Sequence, residues 1–221
     1  MSRVTRAGSV ALPVSLALVV LVAMLASAAP RRAMGPADGR ATAAPDILAP
    51  VAWPPSTLVI SEVQTGGTSA SDEFAELANA GTSAVDLAGL ELVYVTSSGS
   101  TVTRKASWTS SLVLEPGRHL LAANAAGIHA AAADVVYSGG FAATGGALVL
   151  RPIGGTPIDA VGWGDATNGF VEGTAASAPA AGSSIERLPG GAAGNGVDTN
   201  DNRADLAVAV PSPQNLASPP T

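Results

Sequence analysis

The stretch SDEFAELANAGTSAVDLAGLEL, residues 71–92, contains a short apolar run, a turn and the start of a second apolar run. Three acids, Asp72, Glu73 and Glu76, stand close together before the turn, and Asp86 follows it. These residues form either a carboxylate cluster for catalysis or metal binding, or a strand–turn–strand unit of a binding domain. The rest of the chain favours the second interpretation.

Short runs rich in aliphatic and β-branched residues recur between turns of Gly, Pro, Asn and Ser. The runs are TLVISEV, EFAEL, LELVYV, TVTRKASW, RHLLAAN, DVVY, ALVLRP and PIDAVGWG. Strands of this length and spacing predict an all-β sandwich or barrel. One alanine-rich segment, AAGIHAAAADV, favours helix by composition but is short, so it predicts a turn or one small helix.

The N-terminus predicts an export signal. Arg3 and Arg6 precede the uncharged run VALPVSLALVVLVAMLASAA, which ends in small residues as a signal peptidase site does. We expect cleavage after Ala28. The run is also just long enough to span a bilayer, so an uncleaved anchor over residues 1–28 is the alternative. In both cases the protein is expected to be secreted or held at the cell surface, with membrane contact only through an uncleaved segment.

Residues 29–56 are rich in Pro and Ala and show no apolar period. Such a composition predicts a disordered, partly polyproline linker after export. The chain contains no Cys, which excludes a disulfide framework and a thiolate zinc site. Export permits disulfides without requiring them, so the missing Cys does not argue against an extracellular location.

The charge balance argues against nucleic acid as a partner. The whole chain has a formal net charge of −6, and from residue 56 onward it contains six Lys and Arg against fifteen Asp and Glu. Sequence-independent affinity for nucleic acid depends on clustered Lys and Arg, which this chain lacks. An acidic surface suits a soluble extracellular protein, or one that collects divalent cations.

The order of the apolar runs and turns resembles the lamin-tail domain family of the secreted bacterial type. The likeness begins at LVISEV and DEFAELANAGTSAVDLAGLEL and continues through LEPGRHLLAAN and GALVLRPIGGTPIDAVGWG. SSIERL, DTNDNRADL and PSPQN match its closing elements. The likeness covers about residues 57–216 and leaves 217–221 as a C-terminal tail. It implies an immunoglobulin-like antiparallel β-sandwich, a fold found in nuclear lamins and in secreted bacterial proteins.

The resemblance marks a set of residues as the structural motif of the domain, and the alternation within the strands predicts its core. The motif residues are Glu73, Phe74, Glu76, Asn79, Asp86, Gly89, Pro116, Gly117, Asp159, Trp163, Arg187 and Asp198. The expected core residues are Leu58 or Ile60, Leu77, Leu87, Leu92, Leu120, Leu148, Leu150 and Val161.

A catalytic site is not predicted. Glu73 and Glu76 are three residues apart, so a strand places them on opposite faces. Asp86 precedes Leu-Ala-Gly, where an Asp can accept backbone N–H bonds in a turn. The two His residues are isolated in the sequence, and Gly-x-Ser-x-Gly is absent.

The segment DTNDNRAD gives the strongest indication of a metal site. Asp198, Asn200 and Asn202 have the spacing of the first ligands of a calcium loop, but the required Gly and Glu are replaced by Arg203 and Ala209. A looser calcium site would draw on the carboxylates and amides of this segment. Its candidate ligands are Asp198, Asn200, Asp201, Asn202 and Asp205.

The alternative for this segment is a turn whose side chains bond its own backbone. The resemblance favours that alternative, with Arg187 bound to an acid of the loop, Asp198 or Asp205. The function predicted from the sequence is therefore a non-catalytic binding, adhesion or spacer module without a cofactor, with an unknown protein or cell-envelope ligand as partner. A calcium- or carboxylate-dependent hydrolase that uses residues 198–205 is the competing hypothesis.

Overall fold

The computed structural model describes residues 53, 54 and 56–221, and β-strands make up almost all of its regular structure. The strands are β1 (Leu58–Thr65), β2 (Glu73–Asn79), β3 (Val85–Asp86), β4 (Leu90–Thr96), β5 (Val102–Ser107), β6 (Val113–Leu114), β7 (His119–Asn124), β8 (Val135–Tyr137), β9 (Gly145–Pro152), β10 (Asp159–Gly164), β11 (Ser184–Arg187) and β12 (Leu206–Ala209). A single-turn helix α1 (Asn202–Asp205) and a short 3-10 helix (Gly191–Ala193) occur near the end. The predicted export signal and nearly all of the predicted linker lie outside the described residues.

All eight runs predicted as strands contain one. The strands form a six-stranded sheet in the order β12-β11-β1-β2-β7-β8, a four-stranded sheet in the order β10-β9-β4-β5, and a small β3-β6 pair. The all-β, immunoglobulin-like sandwich is therefore confirmed. One pair departs from the expected antiparallel arrangement, because β7 and β8 run parallel. No helix in the described part of the chain is long and apolar enough to cross a membrane.

The core lies between the two large sheets, and every residue predicted for it is buried there. Residues from both sheets form one apolar cluster, and those predicted from the sequence are Leu58, Ile60, Leu77, Leu87, Leu92, Leu120, Leu148, Leu150 and Val161. Trp163 on β10 is also fully buried in this cluster. The alternation within β4 and β9 places Val93 and Val149 on the opposite face, in a separate small cluster.

Strand β2 is buried on both faces, which explains why its alternation does not reveal the inward face. Ala75 and Leu77 point into the core. Phe74 faces the other way and packs edge-on against His129, with ring centroids 4.9 Å apart. His129 belongs to the alanine-rich segment, which forms successive turns and no helix. This segment therefore covers the outer face of the six-stranded sheet around Phe74.

Two motif residues shape the connections at one end of the sandwich. The Asn79 amide donates to the carbonyl oxygens of Ser83 and Leu114 at 2.9 and 2.8 Å, and its oxygen accepts the N–H of Gly81. Gly117 follows Pro116 in a turn and has a φ of +70°, which favours glycine. A Cβ at Gly117 would lie 2.7 Å from the carbonyl oxygen of Thr221, so glycine also lets the last residues pack closely.

Candidate functional site

Arg187, at the end of β11, is completely buried and occupies the centre of the closing region. Its Nη2 donates to Oδ1 of Asp159 at 2.9 Å, and its Nη1 lies 3.3 Å from Oδ1 of Asp198. Nη1 also lies 3.7 Å from Oδ2 of Asp205. Backbone carbonyls accept the remaining guanidinium bonds, with Nε bound to Ile60 and Nη1 to Val197. A buried charge needs this degree of satisfaction to be tolerated.

The predicted contact between Arg187 and the closing loop is present, and Asp198 is the nearer of its two predicted partners. The shortest ion pair that Arg187 forms is with Asp159, and this pairing was not predicted. Asp159 starts β10 in the four-stranded sheet, whereas Arg187 belongs to the six-stranded sheet. This ion pair therefore joins the two sheets, and Oδ2 of Asp159 also accepts the N–H of Ile60 on β1.

The acids of the closing loop hold its own backbone. Asp205 accepts the N–H groups of Thr199 and Asp201 through Oδ2 and the Thr199 hydroxyl through Oδ1. Asp201 caps the start of α1 by accepting the N–H of Arg203. Asn200 adopts a left-handed conformation with φ of 59°, which Asn tolerates better than most residues. These contacts match the alternative of a turn bonded to its own backbone.

Asn202 and Glu172 protect the outer edge of β10. The Asn202 amide donates to the carbonyl oxygen of Ala160, and its oxygen accepts the N–H of Gly162 at 2.8 Å. Glu172 accepts the N–H of Ala160 at 2.9 Å and a second bond from Asn202 at 3.1 Å. Both side chains are buried, so they replace the strand that would otherwise pair with this edge.

Three carboxylates lie near enough to one another to hold a metal ion. Oxygen atoms of Asp159, Glu172 and Asp198 all lie within 4.8 Å of one another. Only Asp198 belongs to the ligand set predicted from the sequence. The chemistry of the donors suits calcium, but the Arg187 guanidinium already binds Asp159 and Asp198. A cation at this position would face that fixed positive charge at close range.

Burial dominates the electrostatics of this region. Desolvation raises the pKa of Glu172 to about 8, and the nearby Asp159 carboxylate raises it further. Desolvation also raises the pKa of Asp159 to about 6, against the opposing attraction of Arg187. On β1, burial raises the pKa of Glu62 to about 7 despite its bonds from Ser184 and Ser212. The fold therefore favours the protonated form of several acids near neutral pH.

We expect the fold to be more stable at pH 6.5 than at pH 8. An acid whose pKa is raised by folding keeps its proton longer in the folded chain, so stability falls as pH rises toward the folded pKa. Glu172 and Glu62 both behave this way in the window, with folded values of about 8 and about 7. Between its unfolded and folded pKa values, each carboxyl is protonated in the folded state and ionised in the unfolded state. Over that range each lowers the free energy of unfolding by up to about 1.4 kcal/mol per pH unit.

Urea unfolding at the two pH values tests this dependence, and Glu172→Gln is the informative variant. The Gln keeps an acceptor for Ala160 but turns an amide toward the amide of Asn202, so its overall stability falls by about 1 kcal/mol. Its loss between pH 6.5 and pH 8 is nevertheless expected to be smaller than that of the unmodified chain. Equal or greater stability of the unmodified chain at pH 8 would contradict the prediction.

The acids of the opening stretch lie in separate environments, as their spacing predicts. Glu76 binds Nδ1 of His119 and the Ser61 hydroxyl, both at 2.7 Å. The backbone N–H of Gln214 also donates to Glu76 and fastens residues 212–221 across the sheet. Asp86 accepts the N–H groups of Ala88 and Leu112, so its predicted turn role is confirmed.

Glu73 lies at the opposite end of β2, beside a cleft of about 530 Å³. Its carboxylate accepts the N–H of Phe141 at 2.7 Å and the amide of Asn124 at 3.0 Å. Lys105 on β5 lies beside this group and is also buried. Lys105, Asn124 and Glu172 are not among the residues predicted from the sequence. The composition does mark Lys105, because it is the one lysine of the chain. No motif marks the other two.

Comparison with known proteins agrees with this architecture. The Lamin Tail Domain family model matches residues 52–165, slightly more than half of the 221-residue chain. Among solved structures, the chain is similar to a DUF4876 family protein from Bacteroides thetaiotaomicron VPI-5482, with a TM-score of 0.54 and 15% identity. That similarity covers 71% of this chain and 72% of the other, and it concerns the fold alone. No curated protein sequence gave a significant match.

Proposed function

The chain belongs to the Lamin Tail Domain family, and from this premise we propose that it is a non-catalytic module that acts at the cell surface or in secreted form. Its role is to bind a protein or another component of the cell envelope, or to act as a spacer there. The signal-like sequence of residues 1–28 and the acidic charge support this location. The same charge disfavours nucleic acid as the partner.

The use of the carboxylates is the observation that carries the non-catalytic part of this proposal. Asp86 and Asp205 bond backbone N–H groups, Asp159 binds Arg187, and Glu76 binds His119. A general acid or base must reach a substrate proton, and a nucleophile must reach a substrate atom. These acids instead stabilise turns, strand edges and the contact between the sheets.

A pull-down from the envelope of the producing cell, with the full chain as bait, tests the binding role. The same bait unfolded in urea and immobilised on the same matrix is the control. Enrichment of a component by the folded bait supports binding. Equal recovery by both baits argues against a binding role, and a spacer is then the function that fits.

Cell fractionation tests the location. A mature chain that begins at residue 29 and is found outside the cytoplasm would support a cleaved signal. A full-length chain in the membrane fraction would support the anchor. A full-length chain confined to the cytosol would contradict the proposal.

A calcium-dependent hydrolase remains the competing function, because the carboxylates of Asp159, Glu172 and Asp198 lie together. Calcium takes about six to eight oxygen ligands. To bind here it would have to displace Arg187 from the carboxylates, or bind beside the guanidinium with fewer oxygen ligands than it prefers. We therefore expect calcium to leave the melting temperature unchanged and to produce no binding heat in calorimetry. A higher melting temperature with calcium, together with activity on sugar or phosphate esters, would favour the hydrolase.

A further inference from the structure

Lys105 is the one lysine in a chain that contains ten arginines, and it is buried rather than solvated. It lies on β5, where Val102, Thr103 and Arg104 are exposed, and only 6% of Lys105 is exposed. Lysine is almost never buried unless its charge is paired. Lys105 forms no ion pair with any described residue. Backbone carbonyls and aromatic rings compensate its charge in place of an acid, which is unusual for a buried lysine.

Backbone carbonyl groups and aromatic rings surround the Lys105 amine. Nζ donates to the carbonyl oxygens of Gly139 and Gly140 at 3.0 and 3.1 Å. It also lies 5.2–5.7 Å from the ring centroids of three buried aromatic residues, which are Tyr94, Tyr137 and Phe141. Desolvation lowers the pKa of Lys105, although the Glu73 carboxylate opposes that shift. The environment thus favours the neutral, nucleophilic amine more than water does.

Asn124 approaches the same place from the other sheet. It ends β7, is 6% exposed, and points its Nδ2 at Oε2 of Glu73, 3.0 Å away. Nδ2 also lies 3.5 Å from the carbonyl oxygen of Gly139, which Lys105 Nζ contacts at 3.0 Å. The two nitrogen atoms are therefore at most 6.5 Å apart, the sum of these distances. Bond formation therefore requires the Lys105 side chain to rotate until Nζ reaches Cγ of Asn124.

We propose that Lys105 and Asn124 form an intramolecular isopeptide bond that joins the two sheets, with Glu73 as the catalytic acid and base. Three groups that the reaction requires are neighbours here. The buried Lys105 amine and Asn124 carboxamide both contact the carbonyl oxygen of Gly139, and the buried Glu73 carboxyl contacts the carboxamide. Burial raises the pKa of Glu73, so this carboxyl is better able to hold a proton than an exposed one.

The reaction balances without an oxidant, a reductant or a co-reactant. The neutral Nζ of Lys105 attacks Cγ of Asn124 and forms a new C–N bond. Glu73 takes a proton from the attacking nitrogen and delivers one to Nδ2, which its Oε2 already contacts. The Cγ–Nδ2 bond then breaks and ammonia leaves. Glu73 ends in the state in which it began, and the cleft beside it gives ammonia a route to solvent.

The position of the bond suits a fold without disulfides. Lys105 lies on β5, the edge strand of the four-stranded sheet, and Asn124 on β7 of the six-stranded sheet. A covalent link between them would join the sheets at the β5 edge of the four-stranded sheet, whereas the Arg187–Asp159 pair joins them at its opposite edge, β10. The chain has no Cys that could serve this purpose. The proposal adds a chemical property to the module and does not depend on its partner or location.

Intact-mass spectrometry of the full chain tests the bond directly. We expect the mass to be lower by one ammonia than the mass calculated from the N-terminus that the chain is found to have. Amine labelling of the unfolded chain should then detect the α-amino group alone, because Lys105 Nζ is an amide. A tandem spectrum should show one branched peptide that contains both Lys105 and Asn124. A chain at the sequence mass with a reactive Lys105 would overturn the proposal.

Matched variants separate the isopeptide from other losses of ammonia. Glu73→Gln should retain the ammonia and expose two amines, whereas Glu76→Gln, the same change on the other face of β2, should still form the bond. Succinimide formation at Asn168–Gly169 or Asn195–Gly196 also releases ammonia, but it would leave Lys105 reactive. If a Lys105→Arg variant loses as much ammonia as the unmodified chain, the loss comes from succinimide and the proposal is overturned. Full bond formation in Glu73→Gln would contradict the role assigned to Glu73. Circular dichroism confirms that each variant is folded.

Discussion

Replacing Arg187 with Met should lower the free energy of unfolding by about 3–5 kcal/mol, the range found when one member of a buried charge network is removed. Met keeps most of the aliphatic volume and deletes the charge. Asp159 and Asp205 are completely buried, so they would lose their neighbouring cation without gaining water. Two carbonyl groups, those of Ile60 and Val197, would also lose their donor. Urea unfolding followed by far-UV circular dichroism measures the change.

Arg203→Met is the matched control for this substitution. Arg203 lies in the same closing region but is exposed, so we expect its replacement to change stability by less than about 0.5 kcal/mol. A double-mutant cycle of Arg187→Met with Asp198→Asn should give a coupling of about 0.5–3 kcal/mol. Equal effects of the two Arg substitutions, or additive effects in the cycle, would show that the loop is held by its backbone bonds alone.

The core was predictable where a strand has one clearly apolar face. In β9, Leu148 and Leu150 alternate with Val149 and Arg151, and the two Leu residues lie in the main cluster as expected. In β2, alternation does not identify the core face, because segments remote in sequence also bury its second face. Phe74 is covered by the turn that contains His129, and Glu76 by the segment that contains Gln214. Local periodicity contains no information about such covers.

The candidate site was predictable only in part, for a related reason. The resemblance placed Arg187 beside Asp198, eleven residues further along the chain. Its stronger partner, Asp159, lies on the other sheet, and sequence spacing does not report contacts across a sandwich. Glu172 follows Phe-Val in a loop without a motif, yet it bonds the edge of β10. The type and spacing of the acids in residues 198–205 suit calcium ligands, but these features do not distinguish a metal ligand from a carboxylate that bonds the backbone.

Trp163 is the largest fully buried side chain of the described fold, and its replacement by Ala should lower the free energy of unfolding by about 3–5 kcal/mol. Its ring packs against Tyr94 and Phe141 at centroid distances of 6.0 and 6.2 Å. Its Nε1 donates to the carbonyl oxygen of Ala142 at 3.0 Å and so holds the loop before β9. The substitution leaves a cavity and removes one bond to the Ala142 carbonyl. Each kcal/mol corresponds to roughly 2–4 °C in melting temperature for a chain of this size.

The contribution of the hydrogen bond can be separated from that of the volume by a pair of Trp→Phe variants. Trp108 is also buried, but its Nε1 has no partner among the described residues. Trp163→Phe removes one of the two bonds that the Ala142 carbonyl accepts, the other coming from the N–H of Gly145 at 3.3 Å, so it costs about 0.5–1.5 kcal/mol beyond the loss of ring volume. Trp108→Phe makes the same chemical change without breaking a bond, so it should be the milder of the two. Far-UV circular dichroism in urea is the suitable probe, because the substitutions alter the fluorescence signal itself. If both variants lose the same stability, Trp163 acts through packing alone and the loop before β9 is held by other contacts.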